Sequence, residues 1–276
     1  TAYAEGLNVT YSPLNGTGYK LVPEILKRMK VAKLDIVTEQ SLPDGHFPTC
    51  PYPNPEKAEA LKLGLECSAA NGSDILIATD PDCDRVGIAV RTKEGLKLMT
   101  GNEVGVLLSD YLLMRKKENG TLPVNPVIVK TIVTTELVRK VAAPYGAEIK
   151  DVLTGFKYIG DVIGKLEKKG EENRYVLGFE ESYGYLSGTY VRDKDGVNAS
   201  MLVAEMAAYY KAKGKTLIDR INEIYSLYGL YEHKLVTYEF AGAEGNDKMK
   251  SLLKALRDRL PEEIAGSKVI RSVDYL

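Results

Sequence analysis

The chain reads as an α/β protein. We expect two similar three-layer α/β/α units with mixed, largely parallel sheets, followed by a partial C-terminal α+β unit. Three observations predict this. Short apolar runs rich in β-branched residues alternate with helix-length amphipathic segments, the pattern of parallel strands covered by helices. The alternation breaks at residues 118–126, where Gly120, Pro123 and Pro126 fall, and then restarts. Beyond about residue 231 only one βαβ-like set of segments follows. A length of 276 residues suits two domains and part of a third.

The elements follow in order. Residues 7–11 predict a strand, Gly16 and Gly18 a turn, and 21–29 a helix by its apolar spacing. Residues 34–37 form the next strand. Segment 42–55 holds five prolines and reads as a loop. A helix is expected over 55–70, with Asn54 as its cap and Pro55 at its first position. Residues 74–79 predict a strand running into an aspartate-rich loop. Segments 86–91 and 96–99 predict a hairpin about Glu94-Gly95, and Thr100 a cap for a helix to about residue 117. After the break, 127–133 predicts a strand and Thr134 a cap for a helix to about 143. A strand over 147–153 follows, then a helix over 158–168 with Ile159, Val162, Ile163 and Leu166 on one face. A strand at 175–179 precedes helices at 196–212 and 216–228. The last part predicts strand 234–240, helix 247–260 and strand 268–273.

Composition bounds the function. A hydrophobic share of 44% and a charged share of 27% are those of an ordinary globular protein. The net charge of −1, without a basic tract, argues against nucleic acid as a partner. Cys50, Cys67 and Cys83 are an odd number without CxxC spacing, which points to reduced thiols in a cytoplasmic setting rather than disulfides or zinc. His46 and His233 are the only histidines, so a histidine-rich metal site is excluded, and both read as structural or surface residues. No apolar run approaches the length of a membrane span, and no signal peptide is read at the N-terminus. The 18 tyrosines, with no tryptophan, read as packing. The first residue is Thr1 rather than methionine, which we read as the mark of a fragment.

Residues 80–85, Asp-Pro-Asp-Cys-Asp-Arg, carry the most chemistry. In a tight loop, which Pro81 favours, carboxylates at alternate positions can converge on one point. Oxygen-only ligands select a hard dication, Mg²⁺ before softer metals. An arginine directly after the third aspartate adds a phosphate-binding fork. Metal with arginine suits phosphoryl transfer. The plain alternative is that turn aspartates merely cap backbone amides. A calcium-binding EF-hand loop fails, because Arg85 stands where it needs Gly and Arg91 where it needs Glu. Cys83 reads as a spacer turned away from the metal.

The run Asp80-Pro81-Asp82-Cys83-Asp84-Arg85-Val86-Gly87 resembles the metal loop of the α-D-phosphohexomutases, the phosphoglucomutase/phosphomannomutase superfamily. Gly178-Phe179-Glu180-Glu181-Ser182-Tyr183-Gly184 resembles that family's sugar-binding loop, and Tyr190-Val191-Arg192-Asp193-Lys194-Asp195-Gly196 the charged turn after it. Fainter echoes are Pro53-Asn54-Pro55-Glu56 and Thr154-Gly155-Phe156-Lys157-Tyr158-Ile159-Gly160. The resemblance covers essentially the whole chain, in order and spacing.

It implies Asp80, Asp82 and Asp84 as metal ligands for Mg²⁺. It implies Arg85 and Lys194 as catalytic residues, and Glu180, Ser182, Arg192 and Lys157 as substrate contacts. For Glu180 and Ser182, alternation on an extended segment would turn both toward sugar hydroxyls. The implied reaction moves a phosphoryl group between C1 and C6 of a hexose. It passes through a phosphoserine and a bisphosphate, and the full enzyme takes a glucose 1,6-bisphosphate-type activator. The family's serine loop, T-x-S-H-N-P, has no match, and no Ser-His pair occurs in the sequence. Its C-terminal phosphate loop, R-P-S-G-T-E-P-K, has none either.

The resemblance therefore implies a fragment: 1–120 like domain II with the metal loop, 121–230 like domain III with the sugar loop, and 231–276 like the start of domain IV. Its partners would be a hexose phosphate and the missing N- and C-terminal domains, with no nucleic acid and no membrane. The fragment alone is expected to be inactive. The alternatives are a non-catalytic relative that binds metal and sugar phosphate, a phosphopentomutase-like activity, and a metal-dependent hydrolase that lacks an obvious nucleophile. The Glu180-Glu181-Ser182-Tyr183-Gly184 form leans toward the glucose and phosphopentomutase-like branch.

Overall fold

The structure, a computed structural model, describes residues 3–236 and 238–275. Its first sheet has the order β2-β1-β3-β4-β5. Strand β1 (Asn8–Ser12) lies parallel between β2 (Lys33–Ile36) and β3 (Ile75–Thr79), with Val9 facing both Leu34 and Ile75. All five residues of β3 are buried, which is why it reads as an unbroken apolar run. Strands β4 (Val86–Thr92) and β5 (Gly95–Met99) then fold back antiparallel as a hairpin. The crossovers are α1 (Leu21–Arg28), which buries Val22 and Leu26, and α2 (Lys62–Asn71), which stops at Gly72 in the left-handed region.

Thr100 opens α3 (Gly101–Glu118) with a complete capping box to Glu103. This helix packs against the second sheet, of order β7-β6-β8-β9. In that sheet β6 (Val127–Thr131) lies parallel to β7 (Glu148–Val152) and to β8 (Tyr175–Glu180), while β9 (Gly184–Leu186) returns antiparallel to β8. Helices α4 (Leu137–Ala142) and α5 (Phe156–Glu167) make the crossovers. Helices α6 (Gly196–Ala212) and α7 (Leu217–Tyr228) follow, the first capped by Asp195 and the second by Thr216. One core draws on both sheets, with Val9, Tyr11 and Ile88 from the first and Ile128, Leu177 and Phe179 from the second. Residues up to Tyr231 form one compact unit.

The second unit begins at Glu232. It contains α8 (Gly242–Asp258) and a two-residue hairpin, β10 (Glu263–Ile264) with β11 (Ser267–Lys268). No membrane-length apolar helix occurs among the described residues.

Four expectations need correction. Residues 55–61 form turns, and the helix starts only at Lys62. Asn54 closes a turn instead, its Oδ1 accepting from the Glu56 amide at 2.9 Å, while Pro55 packs against the backbone of Gly87. Thr134 does not cap α4, because its hydroxyl is engaged with Glu181 at 2.9 Å; Thr135 Oγ1 accepts from the Leu137 amide at 3.2 Å. The described members of 234–240 are not strand (Thr237 lies outside the described residues), and Leu235 is 85% exposed. Of 268–273 only Lys268 is paired. Apolar runs become strands where a neighbouring strand takes their amides and carbonyls; the described members of 234–240 have no strand partner, and past Lys268 the bond from Val269 N to Glu262 O at 2.8 Å does not extend the ladder.

Candidate functional site

Strand β3 delivers Asp80 at its carboxyl end, fully buried. Its Oδ1 accepts from the amides of Asp84 at 3.0 Å and Arg85 at 2.9 Å, and its Oδ2 from Arg85 Nε at 2.6 Å. Asp80 thus folds the loop around itself. Cys83 takes a positive φ of 60°, completing a turn whose carbonyl and amide ends meet (Cys83 N to Asp80 O, 3.0 Å). The result brings carboxylate oxygens of Asp80, Asp82 and Asp84 within 4.8 Å of one another, with Asp82 exposed and Asp84 half-buried. Burial pushes the Asp80 carboxyl up to about 6, against the pull of Arg85. Burial works against the Arg85 charge, but Asp80, Asp84 and Glu56 together raise its pKa overall.

The loop is backed by the turn after β1. Thr17 N donates to Pro81 O at 2.8 Å, and a Cβ at Gly16 would lie 2.5 Å from Pro81 Cα. Below it, Tyr11 OH meets Thr79 Oγ1 at 2.8 Å, and the Cys83 thiol lies beside the same threonine, both facing Gly18. Burial pushes that thiol up to about 12. The donors left to a cation are all carboxylate oxygens, a set that fits a hard dication.

The second loop follows β8. Glu180 is the strand's last residue and is 5% exposed; its Oε1 accepts from the Gly155 amide at 2.9 Å. Burial raises its carboxyl, opposed by that amide and by Lys194. Residues 181–183 are a turn with Tyr183 at φ 70°, so the extended segment expected through Ser182 ends at Glu180. A chain that must return antiparallel as β9 cannot stay extended there. Glu181 turns inward instead, its Oε2 accepting from Thr131 Oγ1 at 3.0 Å and Thr134 Oγ1 at 2.9 Å. Ser182 is half-buried, and its hydroxyl has no hydrogen-bond partner among the described residues.

These loops touch. Arg85 and Gly184 form an antiparallel bridge, and Val86 N donates to Tyr183 O at 3.0 Å. The third loop closes on both. Gly196 N donates to Cys83 O at 3.0 Å, and a Cβ at Gly196 would lie 2.5 Å from that oxygen. Lys194 Nζ sits 2.6 Å from Asp84 Oδ2. Burial works against this ammonium, yet Asp84, joined by Asp193, raises its pKa overall. Residues 80–85 therefore meet two loops about a hundred residues further along the chain, 180–184 and 194–196, at the carboxyl ends of β3 and β8, where open α/β sheets place their ligands.

Two expected contacts are engaged elsewhere. Arg192 pairs with Glu167 of α5 and with the carbonyl of Val191. Lys157 lies over the ring of Tyr158, 5.0 Å from its centre. The structure adds Glu56, 3.9 Å from Arg85 Nη1, whose carboxyl is raised by burial. Its faint motif was the only signal for it. The Thr131–Thr134–Glu181 clamp had none, since Glu181 lies 50 and 47 residues from the two threonines.

The chain matches two family models. Residues 2–95 match phosphoglucomutase/phosphomannomutase α/β/α domain II, and residues 100–228 match domain III. It belongs to this family, within the α-D-phosphohexomutase superfamily. Phosphoglucomutases of Staphylococcus aureus are similar: that of strain MRSA252 is 36% identical over 271 residues and that of strain USA300 35%. Each match takes in 98% of this chain and 48% of the relative, so the chain spans about half the length of the curated relatives it matches. Two crystal structures share the fold. One is a phosphoglucomutase/phosphomannomutase family protein of Burkholderia thailandensis, with TM-score 0.62 and 21% identity over 79% of this chain and 43% of that one. The other is the open form of the Paramecium phosphoprotein pp63/parafusin, with TM-score 0.63 and 23% identity over 91% and 42%.

Proposed function

We infer that this segment supplies the metal loop and the sugar loop of a phosphohexomutase that moves a phosphoryl group between C1 and C6 of a hexose. The observation that carries the reading is the convergence of the three loops through the Arg85–Gly184 bridge and the Lys194–Asp84 pair. Asp80, Asp82 and Asp84 would hold Mg²⁺. When bound, the ion supplies charge neutralisation for phosphate oxygens at the moving group. Asp80 keeps Arg85 beside those ligands, where its guanidinium can receive phosphate oxygens. Lys194 places a second cation between the metal loop and the sugar loop. Glu180, desolvated and fixed by the Gly155 amide, is an acceptor for sugar hydroxyls, and the free hydroxyl of Ser182 is its neighbour. Lys157 and Arg192 belong to the reading only if substrate draws them from Tyr158 and Glu167. In this division 1–120 carries the metal loop, 121–230 the sugar loop and 231–276 the start of a further domain. The setting is cytoplasmic.

Titration calorimetry of this chain with Mg²⁺ and glucose 6-phosphate tests the reading. Binding of the sugar phosphate should be weakened by Glu180→Ala and by Asp82→Asn, the second through the loss of metal. Absence of binding by the unaltered chain, or binding indifferent to both substitutions, would overturn it.

A further inference from the structure

Lys194 is fixed more firmly than a solvated lysine needs. Its Nζ lies 2.6 Å from Asp84 Oδ2, and its side chain is only 20% exposed. Its stem runs over Gly184, where a Cβ would lie 2.6 Å from Lys194 Cδ and 3.5 Å from Glu180 Oε2. The backbone on its far side is pinned by Asp195, whose amide donates to Tyr185 O at 3.0 Å and whose carboxylate caps α6. Asp193, at 3.4 Å from Nζ, is 71% exposed and a weak competitor. The ammonium is thus directed at one ligand of the aspartate loop, with Glu180 on its other side.

The charges at the loop follow. Asp84 faces two cations: Lys194 on Oδ2, and Arg85 Nε on Oδ1 at 3.7 Å. A dication that takes Asp84 meets an ammonium on the same carboxylate, and like charges a few ångströms apart repel strongly at a half-buried site. Full engagement of Asp84 requires the ammonium to leave. It leaves at low cost only when another anion receives it, and a lysine can travel because it is a point charge on a flexible stem.

We propose that Lys194 sets the affinity of the aspartate loop for a divalent cation and ties it to phosphate: the ammonium holds Asp84 until a phosphate group accepts it. The inference rests on the metal-loop reading given above. Thermodynamic linkage makes it reciprocal, so the cation raises phosphate affinity by the same factor. Lysine in place of an uncharged residue at 194 therefore trades metal affinity in the free protein for mutual dependence of metal and phosphate.

The test measures Mn²⁺ binding by electron paramagnetic resonance, with and without glucose 6-phosphate, for the unaltered chain, Lys194→Met and Lys194→Arg. The unaltered chain should bind weakly and gain about tenfold from the sugar phosphate, a typical coupling. Lys194→Met should bind Mn²⁺ alone at least about tenfold more tightly than the unaltered chain, since a like charge has gone. It should gain little from glucose 6-phosphate. Lys194→Arg, which keeps the charge, should not gain Mn²⁺ affinity in the free protein. Damage to the fold would weaken binding, so tightening cannot be mistaken for it. Should the Met variant melt early, Lys194→Gln gives the same comparison. If the unaltered chain binds Mn²⁺ and neither neutral variant binds more tightly, this inference falls and the metal loop stands. If no chain binds Mn²⁺, both fall.

Discussion

Three aspartates of one loop hold different positions, and their substitutions should separate accordingly. Asp80 is fully buried and accepts three hydrogen bonds that shape the loop. Asp82 is exposed, and no cation pairs with it among the described residues. Asp80→Asn should lower stability by about 1–3 kcal/mol, because an amide can no longer accept from both backbone amides and a guanidinium at once. Asp82→Asn should leave stability within about 0.5 kcal/mol, as exposed substitutions do, while weakening Mg²⁺ binding. Urea unfolding paired with Mg²⁺ titration checks both. Equal destabilisation by the two would remove the distinction between the residue that builds the loop and the one that serves it. This distinction was not in the sequence, where the alternate spacing shows three equivalent carboxylates. Spacing reports which side chains can converge; which of them is buried depends on Pro81, Gly16 and Tyr11, brought together by the sheet. Ser182 shows the converse. Its pairing with Glu180 was argued from strand alternation, and the turn that reverses the chain into β9 removes that ground.

At the scale of elements, α3 lies against β8 through a glycine rather than an apolar side chain. A Cβ at Gly105 would fall 2.1 Å from the ring of Phe179, which is fully buried. Gly105→Ala removes a helix-weakening residue, worth about 1 kcal/mol in its favour. It also forces a buried ring to move, and overpacking of this kind costs about 1–3 kcal/mol. Net destabilisation is expected. Gly164, within α5, has open space at its Cβ position, so Gly164→Ala should stabilise by about 0.5–1 kcal/mol. Thermal melting of the two variants checks the contrast, and two variants of the same sign would contradict it.

Helix ends were legible where the cap is local. Thr100 caps its helix as expected, in a complete box with Glu103, and Thr216, expected as the first residue of its helix, proves to be its cap in a box with Asp219. Thr134 misled because its hydroxyl is taken by Glu181, 47 residues away, and Pro55 because a proline that suits a first helical turn also suits a turn packed on Gly87. The short strand β9 escaped because Gly184, Tyr185 and Leu186 carry no alternation long enough to register, and the strand exists only through its pairing with β8.

At the scale of the molecule, the strand–helix rhythm and its restart showed the two sheets. They did not show that α3 and α6 would draw both into a single core, which depends on contacts between distant segments. The chemistry has the same character. On the reading proposed above, residues 80–85 and 178–184 would supply the metal loop and the sugar loop, whereas no Ser-His pair occurs in this sequence. Conversion of glucose 1-phosphate to glucose 6-phosphate in the presence of Mg²⁺ and a bisphosphate activator should therefore be undetectable with this chain alone. Turnover at an ordinary enzymatic rate, about 1–10³ per second, would show that another residue serves as the phosphoryl carrier and would undo the division of labour proposed above.

The two units make a separate prediction about where stability resides. Every residue of the described hydrophobic cores lies at or before Tyr231. Helix α8 buries none of its residues, and Met249, Leu252, Leu253 and Leu256 along it are each more than two-fifths exposed. Removing residues 232–276 thus takes no side chain from a core, and the apolar burial that stabilises the fold is retained. A chain ending at Tyr231 should melt within about 2 °C of the full chain, since a change below 1 kcal/mol shifts a unit of this size by no more than about 2–4 °C. It should also bind less of a hydrophobic dye, because the exposed apolar face of α8 has gone. Differential scanning calorimetry with dye fluorescence on both chains reads the two effects together. A fall in melting temperature beyond about 5 °C would mean that the tail supports the main unit, and the assignment of stability to the two sheets and the helices between them would have to be withdrawn.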